Sequence, residues 1–144
     1  MLDFILITGD QAMFNPTFAK AIVVVRPGVL SGTSKATVNK KKICVVGDEK
    51  KVMVPGCSYT SPPFLTPGIG ILSIQSLAIN QRARKVKSIR KAVLLKGTAF
   101  VARFKVIMPA EIPPTPVSPA IPDPMRFYPG TGYFTTTNTT TKGT

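Results

Sequence analysis

Short apolar runs separated by turn residues recur through the first two thirds of the chain. Five of them lie within residues 34–108, with the sequences KATVN, KKICVV, KKVMV, GILSIQSLAI and AFVARFKVIM. Charged and apolar residues alternate in KKVMV and in ARFKV, which is typical of a strand that has one face in water. The pattern predicts a mainly β core of short strands and hairpins over residues 34–108.

Two further apolar segments, LDFILI and KAIVVV, precede this core and are joined by a polar stretch that contains Asn15 and Pro16. Their β-branched residues favour strands over helices. Neither segment alternates cleanly, so both faces of each strand could be covered. We interpret residues 1–33 as an N-terminal β extension.

The stretch 38–59, VNKKKICVVGDEKKVMVPGCSY, places a turn between two β-rich runs. Gly47 and Asp48 tolerate the positive φ angles of tight turns, so the sequence predicts a hairpin there. Cys44 and Cys57 flank this turn, and three interpretations of the pair stay open: a disulfide, a metal site, or two small buried side chains. Zinc normally takes about four ligands, so a metal site would also need carboxylates or a second chain.

The stretch 80–97, NQRARKVKSIRKAVLLKG, is the one candidate for a helix. A thin apolar stripe at helical spacing would consist of Ala83, Val86, Ile89 and Val93. Like charges at the same spacing destabilise a helix. The sequence therefore predicts either one short helix near residues 80–92 or a long basic β-loop.

The composition changes abruptly at Pro109. Residues 109–129 contain eight prolines in 21 residues, which excludes a helix and a central strand alike because proline has no amide hydrogen to donate. The residues that follow are nearly all Thr, Gly and aromatic, and they could add an edge strand to another chain. We interpret residues 109–144 as an extended Pro/Thr-rich arm.

Charge changes this picture more than any other feature of the composition. Nineteen Lys and Arg side chains stand against six carboxylates, which gives a net charge of +13. Such an excess indicates an anionic surface, an acidic protein or nucleic acid as a partner. The densest basic cluster consists of Arg82, Arg84, Lys85, Lys87, Arg90 and Lys91. It could bind nucleic-acid phosphates, dock on an acidic protein face, or form a solvated loop.

The side chains that catalysis needs are scarce. The chain has no histidine and only six carboxylates, whereas the general base of an enzyme at neutral pH is most often one of these groups. The sequence therefore predicts a protein that is not an enzyme, with no catalytic residue, no bound metal and no cofactor.

The chain shows no targeting segment that we can identify. No apolar run approaches the ~18 residues that span a bilayer, and Asp3 lies where a signal peptide would carry positive charge. We expect a protein that folds in the cytoplasm, where two cysteines normally stay reduced.

The run NKKKICVVGD, residues 39–48, resembles the element I-N-G-K-P-A-A-R-V-G-D of the PAAR-repeat spike-tip proteins. The positions that match by identity or close type are Val38, Asn39, Lys41, Val46, Gly47 and Asp48. PGIGILSIQSL at 67–77 and LLKGTAFVARFKV at 94–106 are similar to later strands of the PAAR-like tips of contractile injection systems, a class that includes phage-tail-like particles and type VI secretion. The resemblance covers residues 30–108.

The chain also departs from that family. The Pro-Ala-Ala-Arg signature is replaced by Lys42, Ile43, Cys44 and Val45, and the histidines that usually bind a zinc ion near the apex are missing. The metal site of the family therefore does not carry over to this chain.

The resemblance implies a small conical fold that caps and sharpens the trimeric central spike of a contractile injection apparatus for piercing a target envelope. The main partner would be a trimeric (VgrG-like) spike protein at the base of the tip, which would cover open strand edges. Cargo effectors and a transient contact with the target membrane are further expectations, and nucleic acid is not a partner in this interpretation. The protein would be assembled into a phage-tail-like particle and ejected at its tip.

The same resemblance suggests roles for the residues singled out above. Asn39, Gly47 and Asp48 would form the hairpin turn of the PAAR-like element, and the basic cluster at 82–91 would contact the spike or another anionic surface. The alternative from a different class is a basic β-barrel that binds nucleic acid, similar to ribosomal proteins with extended arms.

Overall fold

A curled antiparallel sheet of ten strands dominates the computed structural model, which describes residues 3–144. In sheet order, its main strands are β3 (Thr17–Phe18), β4 (Ala21–Val23), β8 (Met53–Ser61), β9 (Phe64–Ser76), β12 (Phe100–Met108), β15 (Phe127–Thr135), β2 (Gln11–Phe14) and β5 (Gly28–Val29). Two short strands, β13 (Glu111–Ile112) and β14 (Ile121–Pro122), pair with each other, and β13 also pairs with β9.

Three small antiparallel pairs complete the fold. They are β6 (Thr37–Val38) with β7 (Lys41–Lys42), β10 (Arg82–Ser88) with β11 (Lys91–Leu94), and β16 (Lys142–Gly143) with β1 (Asp3–Phe4). The helical structure of the described residues consists of two 3-10 turns, Asp48–Lys51 and Ile79–Gln81. The prediction of a mainly β fold built from short strands is confirmed, and each predicted apolar run contributes to a strand, except that Leu2 lies outside the described residues.

The helix predicted near residues 80–92 is wrong, and the alternative of a basic β-loop is confirmed. Ile89 and Arg90 have positive φ angles of 47° and 64°, and they reverse the chain between β10 and β11. Both residues of such a turn have positive φ in the type I′ geometry, which matches the twist of two paired strands. The paired strands also hold the cations further apart than successive turns of a helix would.

The bent segment 11–18 closes the curled sheet on itself. The Asn15 amide donates to the carbonyl of Thr131 in β15, at 3.0 Å, and the Val23 amide in β4 donates to the carbonyl of Pro16, at 2.9 Å. One stretch of chain therefore bonds to β15 in its first half and to β4 in its second. Pro16 has no amide hydrogen and lies at the bend between these two pairings.

The interior of the curled sheet is filled by aromatic side chains. Phe100, Ala102 and Phe104 of β12 are fully buried, while the residues between them are exposed, which is the alternation of a strand with one face in the core. The ring centroid of Phe104 lies 5.0 Å from that of Tyr59. Gly70 makes room for this packing, because a Cβ there would lie 2.4 Å from the ring of Phe104.

A buried network of polar groups fastens the proline-rich segment to one end of the sheet. The Asp123 carboxylate accepts hydrogen bonds from the hydroxyls of Tyr59 and Tyr128, and the Tyr59 oxygen accepts one from the Ala110 amide at 2.9 Å. Burial, together with the nearby Asp123 charge, raises the pKa of both tyrosines to about 12, so both remain protonated donors. We call this end, residues 61–64 and 109–126, the proline end.

The segment 109–144 does not form a separate arm. Its strand β15 pairs with β12 on one side and with β2 on the other, although the proline content predicted that a central strand was excluded there. Pro129 is tolerated because β2 pairs with β15 only from Gly132 onward, so β15 has one partner at Pro129, opposite Arg103. Strands from all three predicted parts, 1–33, 34–108 and 109–144, therefore share one sheet.

Across residues 3–144, every helical turn is too short and too polar to cross a bilayer.

Replacing Tyr128 with Phe should lower the free energy of unfolding by about 1–3 kcal/mol, because Asp123 and Ser61 lose a buried hydrogen-bond partner. Tyr133→Phe provides a matched control, since Tyr133 is 44% exposed and its loss should change stability by less than about 0.5 kcal/mol. Urea unfolding followed by circular dichroism measures both. Equal stabilities for the two variants would contradict the assigned network.

Candidate functional site at the three-hairpin end

Three short segments, 5–7, 43–45 and 93–95, lie side by side in a closed triangle of backbone hydrogen bonds. The Leu6 amide donates to Leu94 at 3.0 Å, the Leu94 amide to Cys44 at 2.9 Å, and the Cys44 amide to Leu6 at 2.9 Å. Each segment therefore donates to one neighbour and accepts from the other. We call these three segments the triangular layer.

A second ring of hydrogen bonds links the same three segments in the opposite sense. Its donors lie two residues after the middle residue of each segment, and its acceptors lie two residues before it. The bonds run from Thr8 to Lys42, from Val46 to Ala92 and from Lys96 to Phe4, over 2.9, 2.8 and 2.9 Å. Isolated bridges link the segments in the same order, at Ile5 with Leu95, Ile7 with Ile43, and Val45 with Val93. The layer thus has an approximate threefold axis within one chain.

Each segment of the layer ends in a turn at a glycine. Gly9, Gly47 and Gly97 have φ angles of 93°, 108° and 58°, a region that other residues rarely adopt. Asp10 and Asp48 follow the first two glycines, and their carboxylates accept the amides of Ile7 and Val45, both at 2.8 Å.

The third turn is built differently. Thr98 follows Gly97, and the Gly97 amide donates instead to the carboxylate of Asp3, at 2.8 Å. The three turns therefore share a positive-φ glycine, but a backbone bond closes only the first two, from Asp10 to Ile7 and from Asp48 to Val45. The Thr98 amide donates to the side chain of Asn80 instead.

The turn at Gly47 and Asp48 does not close a hairpin, which corrects the sequence prediction. The paired strands are β6 and β7, and the turn between them is formed by Asn39 and Lys40, with φ angles of 52° and 66°. Gly47 and Asp48 lead instead from the triangular layer into the 3-10 turn. The segment around Val46 bonds to distant parts of the chain, so no local partner strand is left for a hairpin.

A two-stranded antiparallel pair precedes each segment of the layer. Two of the pairs are hairpins, β6–β7 and β10–β11. The third pairs β16 with β1, which no turn joins, and we call it a hairpin for its shape alone. A small core lies between the hairpins and the layer; its buried members are Ile5, Ile7, Val38, Ile43, Val45, Ala83, Val93 and Leu95. We call this end of the molecule the three-hairpin end.

The middle residues of the layer face the opposite way. Leu6, Cys44 and Leu94 are fully buried and belong to the core of the curled sheet. The layer therefore separates two cores and connects the hairpins rigidly to the sheet.

The predicted basic cluster lies on one of the three hairpins. Arg82, Arg84, Lys85 and Lys87 lie on β10, Arg90 lies in the turn and Lys91 begins β11; all six are exposed. The sequence reasoning missed that the other two hairpins are also basic, with Lys40, Lys41, Lys42 and Lys142 exposed on them. Because the hairpins are far apart in sequence, local charge density did not reveal this shared basic end.

The positive charge of the surface is not offset by acidic side chains. All 19 Lys and Arg residues are exposed, whereas each of the six carboxylates is buried or half-buried. Five of the carboxylates accept backbone amides; they are Asp3, Asp10, Asp48, Glu49 and Asp123. The acidic groups thus shape turns inside the fold and leave the surface almost uniformly cationic.

Both cysteines are buried free thiols, which supports the interpretation as two small buried side chains. Cys44 lies in the triangular layer, and the Cys57 sulfur donates to the carbonyl of Val54 at 3.6 Å. Burial raises the pKa of Cys44 to about 12, and the charges of Asp48 and Asp10 add to the shift. Among the residues that the structure describes, no three Cys or carboxylate side chains are grouped as a metal site.

Comparison with known protein families gives a match over the whole chain. The sequence model of a family described as "Contractile injection system spike tip protein" matches residues 1–144. The match includes residues 1–29 and 109–144, which lie outside the stretch that resembles PAAR repeats. No curated protein matches the chain.

Truncating Leu6 to Ala should lower the free energy of unfolding by about 2–5 kcal/mol, because it opens a cavity at the centre of the triangular layer. Leu65→Ala removes the same atoms from a side chain that is 60% exposed and should cost less than about 1 kcal/mol. Chemical denaturation of both variants tests this. A small effect of Leu6→Ala would mean that the layer does not support the fold.

The buried thiols should resist alkylation in the folded protein. At about pH 8 Cys44 has almost no thiolate, because its pKa is about 12, and only the thiolate reacts with iodoacetamide. Mass spectrometry should show an unmodified native protein and two modified cysteines after unfolding in urea. Rapid alkylation of Cys44 without denaturant would contradict the structure at the layer.

Proposed function

The chain belongs to the contractile injection system spike tip protein family, and on that premise we propose that its three-hairpin end caps the trimeric central spike of an injection apparatus. The family confirms the resemblance to spike tips and establishes a role as a tip component of such an apparatus. We propose that this role is structural, and that the protein acts by docking and by its shape.

The approximate threefold axis of the triangular layer is the observation that carries this proposal. A trimeric spike ends in three identical chains related by a threefold axis, so a single chain that caps it must present three similar surfaces. The layer and the three hairpins supply them. The ends of the spike strands and the hairpins would cover one another, which leaves no exposed strand edge at the junction.

The charge of the three-hairpin end indicates the chemistry of the docking surface. At least one exposed lysine lies on each hairpin, and the hairpin β10–β11 carries the six cations predicted from the sequence. An acidic spike end would complement this surface and would steer the encounter over long range. The three hairpins differ in their cations, so the tip would contact each spike chain through different side chains.

The proline end would then point away from the spike. Eight prolines in residues 109–129 restrict the backbone there, and the network of Asp123, Tyr59 and Tyr128 fixes it to the sheet. This end also carries little exposed charge, since Asp123 is buried, Glu111 is half-buried and Arg126 is its one exposed charged side chain. A stiff and weakly charged leading end suits brief passage through a target envelope.

The assembly route follows from this orientation. The protein would fold in the cytoplasm, dock on the spike of a phage-tail-like particle and leave with it on contraction. Cargo would bind on the sides of the curled sheet, apart from the surface that docks on the spike.

The test is the stoichiometry of a complex with the spike protein of the same apparatus. Co-expression followed by light scattering on a sizing column should give one copy of this chain per spike trimer. Reversing charge on one hairpin with Arg84→Glu and Lys87→Glu should weaken the complex at least tenfold, because two carboxylates then face an acidic surface and repel it. The matched control, Lys20→Glu with Arg126→Glu, changes the same charge on residues away from the hairpins.

Three outcomes would overturn the proposal. They are three tips per trimer, equal weakening by both double variants, or no complex between two folded proteins. Strong binding of duplex DNA that falls steeply with salt would favour a basic nucleic-acid-binding protein instead.

A further inference from the structure

A groove of about 370 Å³ lies on the outer face of the curled sheet, where β8, β9 and β12 run side by side. The residues that matter for its chemistry are Lys50, Met53, Ile71, Ser73, Arg103 and Lys105. They lie on the outer face of the sheet, and at one point the lining also includes Ile74, a buried member of the core of the curled sheet. It lies on the sheet side of the triangular layer, away from the three hairpins.

The strand register places these side chains in two adjacent rows. Met53 lies opposite Ser73, and Ser73 lies opposite Arg103. Ile71 lies opposite Lys105 in the neighbouring row. A floor of Met53, Ile71 and Ser73 is therefore flanked by cations, and it spans two strand spacings, roughly 10 Å.

No carboxylate lines this groove within residues 3–144. Arg103 is held in place by an aromatic ring instead, because its guanidinium carbon lies 4.8 Å from the ring centroid of Phe127. Lys50 lies at the opposite side, within the 3-10 turn Asp48–Lys51. The groove thus combines three cations that have no acidic partner in its lining with an apolar floor that is partly exposed.

We propose that this groove binds an extended acidic segment of a partner polypeptide whose groove-facing side chains, at every second position, are acidic and apolar in turn. The acidic side chains would pair with Arg103, Lys105 and Lys50. The apolar side chains would cover Met53, which is exposed in the free protein, and Ile71, which is half-buried. Met53 is 59% exposed, and removing its apolar surface from water would favour binding.

The groove fits a polypeptide better than other anionic partners. Single-stranded nucleic acid binds through aromatic faces on which bases stack, and the one aromatic ring beside the groove, Phe127, already has the Arg103 guanidinium over its face. A membrane surface would meet a flat or convex patch, whereas here the apolar side chains lie between the cations. Main-chain groups of an extended segment could also hydrogen-bond to Ser73 and Gln75 at the floor.

This inference does not depend on how the tip docks. The groove and the three-hairpin end share none of the residues that define them, and binding can be measured on the isolated chain. A failure here would leave the spike-capping proposal intact, and a failure of spike capping would leave the groove intact.

The probe is a short fluorescent synthetic peptide in which glutamate and valine take turns at every second position, with serine between them, so that one face carries both side chains. Its binding is measured by anisotropy at low salt. Arg103→Gln with Lys105→Gln should weaken its binding roughly tenfold, since two charge contacts are lost. The matched control, Lys20→Gln with Lys35→Gln, removes the same charge from exposed positions outside the groove and should weaken binding less than about twofold. Unfolding curves of all variants check that the fold is intact.

A second arm distinguishes a groove from a generally cationic surface. Met53→Ser should weaken binding of the glutamate–valine peptide several-fold and leave a DNA oligonucleotide of equal charge unaffected, because only the peptide covers the apolar floor. The proposal is overturned if the peptide does not bind, or if both double variants lose affinity equally. It is also overturned if the oligonucleotide binds more tightly than the peptide and is released by the same Arg103 and Lys105 changes.

Discussion

The closed triangle of backbone hydrogen bonds among segments 5–7, 43–45 and 93–95 is the constraint on which the rest of the structure depends. Across its two rings of hydrogen bonds, each segment both donates to and accepts from each neighbour. Displacing one segment therefore leaves buried peptide groups of the other two without partners, which is costly. The layer also divides the two cores and sets the directions in which the hairpins leave it. The threefold character of one end therefore originates in backbone pairing rather than in any particular surface side chain.

The placement of charge follows from the same architecture. The tight turns that end the layer segments need acceptors for inward-facing amides, and Asp10 and Asp48 supply them from buried positions. At the opposite end, the buried carboxylate of Asp123 accepts hydrogen bonds from the hydroxyls of two tyrosines. With the acidic groups used inside, the exposed cations have few internal partners. The net charge of +13 is thus displayed almost entirely to partners, and electrostatic steering is strong.

The sequence predicts the strands well and their partners poorly. Alternation in ARFKV identifies β12, because residue type matches burial there: Ala102 and Phe104 are buried, and the charged residues between and after them are exposed. Pro129 misled the prediction because its tolerance depends on how far β2 extends along β15, which no local pattern shows. Likewise, the local sequence at 82–94 fits both a helix and a hairpin, and the pairing of β10 with β11 in the fold decides between them. The threefold end could have been detected from the related runs ILITGD, ICVVGD and VLLKGT, which share a glycine at 9, 47 and 97 after an apolar triplet.

The hairpin formed by β16 and β1 has a consequence for how the chain acquires its shape. Its two strands are separated by nearly the whole chain, and the layer beside it joins residues from three regions far apart in sequence. Closing such long loops costs conformational entropy before the distant contacts can form. Folding of a chain with this high contact order is therefore slow, and these contacts form late. Strand β1 lacks its partner β16 until synthesis is almost finished, whereas β2 with β5 and β3 with β4 can pair early. Until segment 93–95 has been made, Ile5, Leu6 and Ile7 form an incompletely paired apolar stretch whose exposure favours aggregation.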